Sequence, residues 1–400
     1  MSDLPARPRV LWIWHAAVVA EYQKPLDALA AAGWDVHLLV PERWPERGSQ
    51  MTALERRCGP PGVTIHPGRT WLTGRYYLYL FPNLLSVLWR VRPDVLHVYE
   101  EAHSLLPALV LLVRPWLARL WGRPLPVILY AAQNVVKRYP WPFRWWEAYC
   151  FRRADVILPC GELVAGTLRA KGAAGALRAI PLPTDPAMFA PDLAARRAGR
   201  AALGLDVRTP LVGYAGKLAE EKGIGVLLAA LARLPGRPHL VIAGRGPAEA
   251  ALRAQARAAG LTERVHFAGG VDHAHLLTLL NAADVWVVPS LTRPNWREQF
   301  GRVAVEAMAC GLPVVVSNSG ELPRVVGAAG IVVPEGDPVA LTGVLAALLA
   351  DPAERARVGA AARARVCAAY SPAGVAGLYA DTYRRLLGRA TGPAASAGPE

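Results

Sequence analysis

The sequence predicts an α/β protein of two doubly wound, Rossmann-like domains, each built on a parallel sheet, facing a central cleft. Three observations lead there. Short apolar runs alternate with amphipathic helical runs, joined by short connections, over residues 9–181, which is the pattern of a parallel sheet wrapped by helices. The same alternation starts afresh at residue 211 and runs to residue 349. Between the halves lies PLPTDPAMFAPD, residues 181–192, rich in Pro and Asp and without periodicity, which reads as a boundary. Four hundred residues, 53% of them hydrophobic, suffice to fill two cores.

In the first half, strands are expected over 9–14, 34–40, 63–66, 95–99, 126–131, 155–159 and 177–181, with helices over 19–32, 80–91, 102–120, 141–153 and 162–171. Gly33 closes the first helix, VHLLV forms the heart of the second strand, and Pro93-Asp94 opens the fourth. In the second half, strands are expected over 211–215, 239–243, 265–267, 285–288, 313–316 and 331–333. Helices are expected over 223–233, 247–259, 273–282, 302–310 and 338–349, then over 353–369 and 372–387. The last ten residues, TGPAASAGPE (391–400), read as a disordered tail. The expected domains are 1–185 and 186–370, followed by a C-terminal helix over 371–390.

Composition narrows the function. The net charge of +14 points to an anionic partner, whether phosphorylated ligand, anionic membrane surface or nucleic acid. The charge is spread without a long basic run, which argues against nucleic acid. Only five of the 45 basic residues are Lys, and two of them, Lys217 and Lys222, fall close together. Five scattered cysteines, Cys58, Cys150, Cys160, Cys310 and Cys367, show no metal spacing and suit a reducing compartment. The start, MSDLPARPRVLWIWH, lacks a leader's long apolar core and cleavage site. The most apolar run, 105–120, is broken by Arg114, Pro115 and Arg119 and is too short and charged to span a bilayer. The expected location is cytoplasmic, with peripheral contact at the inner face of the membrane as an added expectation. Of 25 Trp and Tyr, 19 precede Cys150. Tyr76, Tyr77, Tyr79, Phe81 and Trp89, flanked by Arg75, Arg90 and Arg92, read as an interfacial patch or as ordinary core.

The chemistry gathers in EQFGRVAVEAMACGLPVVVSN, residues 298–318. Glu298 and Glu306 stand eight positions apart, with Gly301 at a helix start between them. A helix N-terminus offers free N–H groups and partial positive charge, a seat for phosphate. Acids beside it accept hydrogen bonds from ligand hydroxyls, unless both are solvated surface acids. GYAGKLAEEKGIG, residues 213–225, brings Gly216, Lys217 and Lys222 to a strand-to-helix turn, where two ammonium groups converge on an anion or remain solvated. It is neither a dinucleotide fingerprint nor a Walker loop. Gly244, in AGRGP, sits in a tight turn whose strand end points to the same cleft. The polar loop 289–299, with Arg293, Asn295, Trp296 and Arg297, lies over the site. In the first half, His15 follows a strand end, while His97 and His103 read as structural or as ligands. Gln133, Asn134 and Lys137 follow another strand, as a cap and loop or as acceptor-binding groups.

Together these motifs resemble the retaining nucleotide-sugar glycosyltransferases of the GT-B fold, family 4. The likeness is strongest over residues 180–337, and three features carry it. IPLPTDPAMFAP resembles the family's Ile-Pro-Asn-Gly-Val-Asp…Phe…Pro linker, with Asp185 and Phe189 in place. GKLAEEKG resembles its Gly-Arg-Leu…Lys-Gly segment, with Lys217 at the usual Arg. The two acids followed by ACGLPVVVSNSGELPRVV resemble its acidic motif. The resemblance implies an N-terminal acceptor-binding domain, a C-terminal nucleotide-sugar-binding domain, and a final helix crossing back to the first. It implies that Lys217 and Lys222 hold the donor diphosphate, Glu298 the donor sugar and Glu306 the ribose. Backbone N–H groups at Phe300, Gly301 and Arg302 would face sugar and phosphates. Departures are Leu182-Pro183 for the usual Asn-Gly, and Gln133-Asn134 where many members have a His.

Cleaving a sugar–phosphate bond builds negative charge on the leaving diphosphate, which positioned cations stabilise. The expectation is a transfer to a glycan, lipid-linked or small acceptor in cell-envelope polysaccharide synthesis, with Lys217, Lys222 and Glu298 catalytic. No acidic cluster has metal spacing, so neither metal nor other cofactor is expected. Retention, with the leaving phosphate as base, follows from the resemblance. A sugar-nucleotide epimerase on a related fold and a non-catalytic sugar-nucleotide binder remain the alternatives.

Overall fold

The structure, a computed structural model, describes residues 7–46, 50–55 and 62–391. Cys58 and residues 392–400 of the expected tail lie outside the described residues. The chain forms two compact units, one taking the chain up to Pro181 and everything from Pro372, the other Leu182–Ser371. The division therefore falls four residues ahead of the expected one at 185/186.

The first unit is a seven-stranded parallel sheet. It runs through β1 (Arg9–Ile13), α1 (Lys24–Ala31), β2 (Asp35–Pro41), β3 (Arg43–Glu46), β4 (Gln50–Ala53), β5 (Val63–Gly68) and α2 (Leu84–Val91). Next come β6 (Val95–Val98), α3 (Leu105–Trp121), β7 (Val127–Ala131), α4 (Phe143–Arg153), β8 (Val156–Pro159), α5 (Glu162–Ala170) and β9 (Ala176–Leu177). The strand order is β5-β2-β1-β6-β7-β8-β9. β6 and β8 are buried at every position, as strands covered on both faces must be. The β3–β4 hairpin, an antiparallel pair standing apart from the main sheet, was not expected. The expected helix over 19–32 begins as a 3-10 turn, Ala20–Gln23, and becomes α-helical only at Lys24.

Two of the residues read as an interfacial patch belong to the core. Tyr79 and Phe81 are 1% and 4% exposed, and their rings meet edge-on. The Tyr79 hydroxyl donates to Glu100 Oε1 at 2.5 Å. Tyr76, Tyr77 and Trp89 are exposed.

The second unit opens with α6 (Leu193–Ala202), then β10 (Leu211–Ala215), α7 (Ile224–Arg233), β11 (His239–Ala243), α8 (Glu249–Ala258), β12 (Val265–Gly269), α9 (His273–Ala282) and β13 (Val285–Val288). It continues through α10 (Arg302–Ala309), β14 (Val314–Ser317), α11 (Leu322–Val326), β15 (Ile331–Val333), α12 (Pro338–Ala350) and α13 (Pro352–Ala369). Its sheet is parallel, in the order β12-β11-β10-β13-β14-β15. The linker is built into this unit: Phe189 is buried in its core, and Arg363 donates to the carbonyls of Phe189 and Pro186.

α6 was not expected. Its inward face is held by arginine rather than by apolar side chains, so no hydrophobic period betrays it. Arg200, 1% exposed, donates to the carbonyls of Asp206 at 2.9 Å and Ala282 at 2.7 Å, and also to that of Thr209. Arg196 pairs with Asp284 at 2.6 Å. The helix start is sequence-readable: Asp192 accepts from the N–H groups of Ala194 and Ala195, an N-cap.

The chain then returns to the first unit as α14 (Pro372–Thr391). Tyr383 sits edge-on to Trp34 at 5.1 Å, and its hydroxyl bonds to Nδ1 of the buried His97 at 2.7 Å. Tyr379 packs edge-on to Trp12 at 5.1 Å. His97 is thus a core histidine, held neutral by burial.

Candidate functional site

In a doubly wound sheet the chain order reverses between two neighbouring strands, and the loops leaving them open a crevice at their carboxyl ends. In the second unit those strands are β10 and β13. The loop after β10 carries Gly216, Lys217 and Lys222. The loop after β13 runs through Glu298 and Phe300 to Gly301, the N-cap of α10. The residues expected to hold a donor therefore leave the sheet at its reversal point.

The two loops are locked together. Gly223 has φ +67°, and a Cβ there would lie 1.8 Å from the Pro289 carbonyl oxygen, so only glycine lets the backbones touch. The Leu291 N–H donates to the Glu221 carbonyl at 2.8 Å, and Arg293 donates to Glu220 at 2.5 Å. Lys222 Nζ donates to Glu298 Oε2 at 2.8 Å and lies 4.5 Å from the centre of the Trp296 ring, within cation–π range.

Glu298 is not a solvated loop acid. It is buried, and the same Oε2 accepts from the fully buried Ser290 hydroxyl at 2.9 Å. Its backbone is clamped from the other side. The Glu321 N–H donates to the Glu298 carbonyl at 3.1 Å, and a Cβ on Gly320 would lie 2.0 Å from that oxygen. The Lys222 ammonium thus rests on Glu298, while Lys217 is exposed and has no ion-pair partner among the described residues.

Gly301 starts α10 at φ +82°, where a Cβ would strike Leu322 at 2.4 Å. The Phe300 side chain packs in the core against Tyr370 at 5.7 Å, so only its backbone can meet a ligand. Arg302 is the first residue of α10. Glu306, one turn further in, is 6% exposed, and its carboxylate has no hydrogen-bond partner among the described residues. A carboxylate left so can accept hydrogen bonds from the hydroxyls of a ligand. Burial, with the charge of Glu306, pushes the Cys310 thiol up to about 12.

Gly216 and Gly244 meet back to back. A Cβ on Gly244 would lie 1.9 Å from the Gly216 carbonyl oxygen. Gly244 therefore supports the loop after β10 from behind, and this packing alone requires a glycine.

In the first unit the order reverses between β1 and β6. His15 follows β1, and its Nδ1 meets Glu100 Oε1 at 2.5 Å. Gln133 is turned into its own loop: its Nε2 donates to the Val135 carbonyl at 3.0 Å and its Oε1 accepts from the Tyr139 hydroxyl at 3.2 Å. Asn134 is buried and Lys137 is exposed. Sequence reasoning missed Ser290, Gly320, Glu100 and Glu101. Ser290 and Glu100 gain their meaning only from partners eight and 85 residues away, and no local pattern marks them. Among the described residues, no three His, Cys, Asp or Glu side chains are grouped as metal ligands.

Two family models match the chain. One, described as glycosyl transferases group 1, covers residues 195–365, and the other, a glycosyl transferase 4-like domain, covers 23–183. The chain belongs to the GT-B glycosyltransferases of the family 4 type. Among curated relatives, this chain is 43% identical over 179 residues to the D-inositol 3-phosphate glycosyltransferase of Xylanimonas cellulosilytica, covering 43% of this chain and 42% of that one. It is 36% identical over 182 residues to the GDP-mannose-dependent monoacylated alpha-(1-6)-phosphatidylinositol monomannoside mannosyltransferase of Corynebacterium glutamicum, covering 44% and 47%. The matched stretch thus spans less than half the length of these relatives. Among solved structures, sucrose-phosphate synthase of Thermosynechococcus elongatus aligns with a TM-score of 0.70 at 24% identity, covering 96% of this chain and 100% of that one. Anabaena HepE, in complex with UDP and glucose, aligns at 0.68 with 18% identity, covering 95% and 100%. Both likenesses concern the fold.

Proposed function

We propose that this glycosyltransferase moves a sugar from a nucleotide-diphosphate donor to an acceptor hydroxyl, with retention of anomeric configuration and without a metal. The observation that carries this reading is the joint placement of Lys222, Glu298 and the start of α10, with Glu306 buried and unpartnered one turn inside. The Lys222 ammonium, the exposed Lys217 and the N–H groups at Gly301 and Arg302 supply positive charge to a diphosphate. Glu298 faces hydroxyls of the donor sugar, and Glu306 takes the ribose hydroxyls that its carboxylate lacks in the protein.

In the reaction the bond between the anomeric carbon and the diphosphate oxygen breaks, and the leaving group carries the electrons away. Lys217 and Lys222 stabilise that charge through charge-assisted hydrogen bonds worth about 1.5–3 kcal/mol each. Glu298 fixes Lys222 in place beforehand, so little reorganisation remains at the moment of transfer. The acceptor proton passes to the leaving phosphate.

The acceptor is read as a glycan or lipid-linked molecule of the cell envelope, in keeping with the two curated relatives, whose names carry an inositol phosphate and a phosphatidylinositol mannoside. No helix among the described residues is long and apolar enough to cross a membrane. Exposed Trp71, Trp89, Trp116, Trp141 and Trp145 in the first unit support a peripheral seat on an anionic bilayer at the inner face.

The test offers α-configured UDP-glucose and GDP-mannose with inositol 3-phosphate and phosphatidylinositol, and reads the anomeric proton of the product by NMR. The expected product is α-linked, with free nucleoside diphosphate released only when acceptor is present. A β-linked product, or a donor epimerised without acceptor, overturns the reading.

A further inference from the structure

Trp296 lies in the loop between β13 and α10, and the transfer chemistry assigns it no role. Arg293 and Trp296 face each other across a tight turn. The Arg293 N–H donates to the Trp296 carbonyl at 2.8 Å, and the Trp296 N–H to the Arg293 carbonyl at 3.1 Å. Pro294 and Asn295, at the tip, are exposed, while Trp296 is partly buried. The turn is tied to its neighbours on several sides. Toward the loop after β10, the Leu291 N–H donates to the Glu221 carbonyl at 2.8 Å and Arg293 donates to Glu220 at 2.5 Å. Toward the loop after β14, the Thr292 hydroxyl meets that of Ser319 at 3.0 Å. Toward the loop after β15, the Thr292 N–H donates to Glu335. A connection that only joined β13 to α10 would need none of these ties.

What the turn carries is a ring set on a cation. The centre of the Trp296 ring lies 4.5 Å from Lys222 Nζ, and Glu298 Oε2 takes one bond from the same ammonium at 2.8 Å. The Lys222 side chain is 21% exposed, so the cation is partly out of water, where its attraction to a ring is stronger than on an open surface. An ammonium carries three donors, and Glu298 occupies one. A second carboxylate in place of the ring would hold the cation as well, but it would cancel the charge that an arriving anion needs. A ring restrains the flexible lysine stem without doing so. The stem's rotamer freedom is then given up on folding rather than at the moment of reaction.

We infer that Trp296 is a positioning residue for the leaving-group cation: its ring, set by the strapped turn 293–296, holds the Lys222 ammonium in place for the donor diphosphate. This rests on the transferase reading and deepens it. Trp296 acts through Lys222 and not on the substrate itself. Its contribution therefore exists only while Lys222 is present, and it falls on the diphosphate rather than on the base, the ribose or the sugar.

The test titrates UDP, UMP, GDP and GMP calorimetrically into the full chain as wild type, Trp296→Leu, Trp296→Phe, Lys222→Ala and the double variant Trp296→Leu/Lys222→Ala. Trp296→Leu weakens binding of the diphosphate of the preferred base about 5- to 10-fold and leaves its monophosphate unchanged. Trp296→Phe, which keeps a ring, retains most of the preference. In the Lys222→Ala background Trp296→Leu has no further effect, because its partner is gone. Equal loss of monophosphate and diphosphate affinity, or an undiminished effect in the double variant, marks a strap that only holds the loops and overturns the inference. Unchanged diphosphate affinity in folded Trp296→Leu overturns it too. Thermal melts check each fold. If Trp296→Leu does not fold, Trp296→Phe decides, with a loss of about two- to three-fold in the wild-type background and none in Lys222→Ala. If the wild type itself binds monophosphates and diphosphates equally, it is the diphosphate seat of the transferase reading that falls.

Discussion

Lys222→Ala lowers the rate of sugar transfer by about 10²–10³-fold, the usual cost of removing one preorganised donor aimed at developing charge. Two effects combine. The leaving diphosphate loses a cation, and Glu298 loses the partner that now sits 2.8 Å from its Oε2. The buried carboxylate keeps the Ser290 hydroxyl but loses its cation, which lowers stability as well. A melting curve beside single-turnover kinetics separates the two. The variant keeps a cooperative transition with a reduced midpoint, while the chemical step slows far more than unfolding explains. Lys222→Arg keeps the charge yet recovers only part of the rate, because a planar fork does not replace a point charge under the Trp296 ring. Near-normal turnover in folded Lys222→Ala would remove Lys222 from the leaving-group site.

The second large effect comes from a residue that touches no substrate. Gly320→Ala places a Cβ 2.0 Å from the Glu298 carbonyl oxygen and 2.8 Å from its nitrogen, at φ +59°. Neither backbone atom can swing away as a side-chain tip can, so the Glu298 segment must shift. Transfer falls by about 10²-fold, since small misplacements of catalytic groups cost that much. The control is Gly260→Ala, whose φ of +67° is similar but whose Cβ meets nothing within 4 Å. That variant pays only the backbone strain of about 1 kcal/mol and retains its rate. Equal rates for the two variants would mean that Glu298 needs no exact seat.

Much of the fold was open to reading because buried parallel strands are continuous apolar runs. β10, β13 and β14 are buried at every position and fall where VGYA, VWVV and VVVS stand in the sequence. α6 escaped because Arg196 and Arg200 do the work that leucines do elsewhere, bonding to carbonyls and to Asp284. The β3–β4 hairpin escaped because RWPE and QMTA carry no alternation. The side chains that meet at the second sheet's reversal point could be picked out as a set, since two Lys at a strand end and two Glu flanking a helix start are local patterns. Their pairing could not, because Lys222 and Glu298 lie 76 positions apart. Spacing cannot distinguish a free cation from one already held by an acid. Nor could it show that Gly244 serves the Gly216 backbone, or that Tyr79 and Phe81 face inward.

The most direct measurement compares nucleoside diphosphates with their monophosphates. UDP against UMP and GDP against GDP's monophosphate, GMP, are titrated calorimetrically into the full chain without metal. A diphosphate seat built from Lys217, Lys222 and the start of α10 gives the diphosphate of the preferred base at least about 10-fold tighter binding, one charge-assisted bond's worth. Equal affinity of diphosphate and monophosphate for both bases would contradict it.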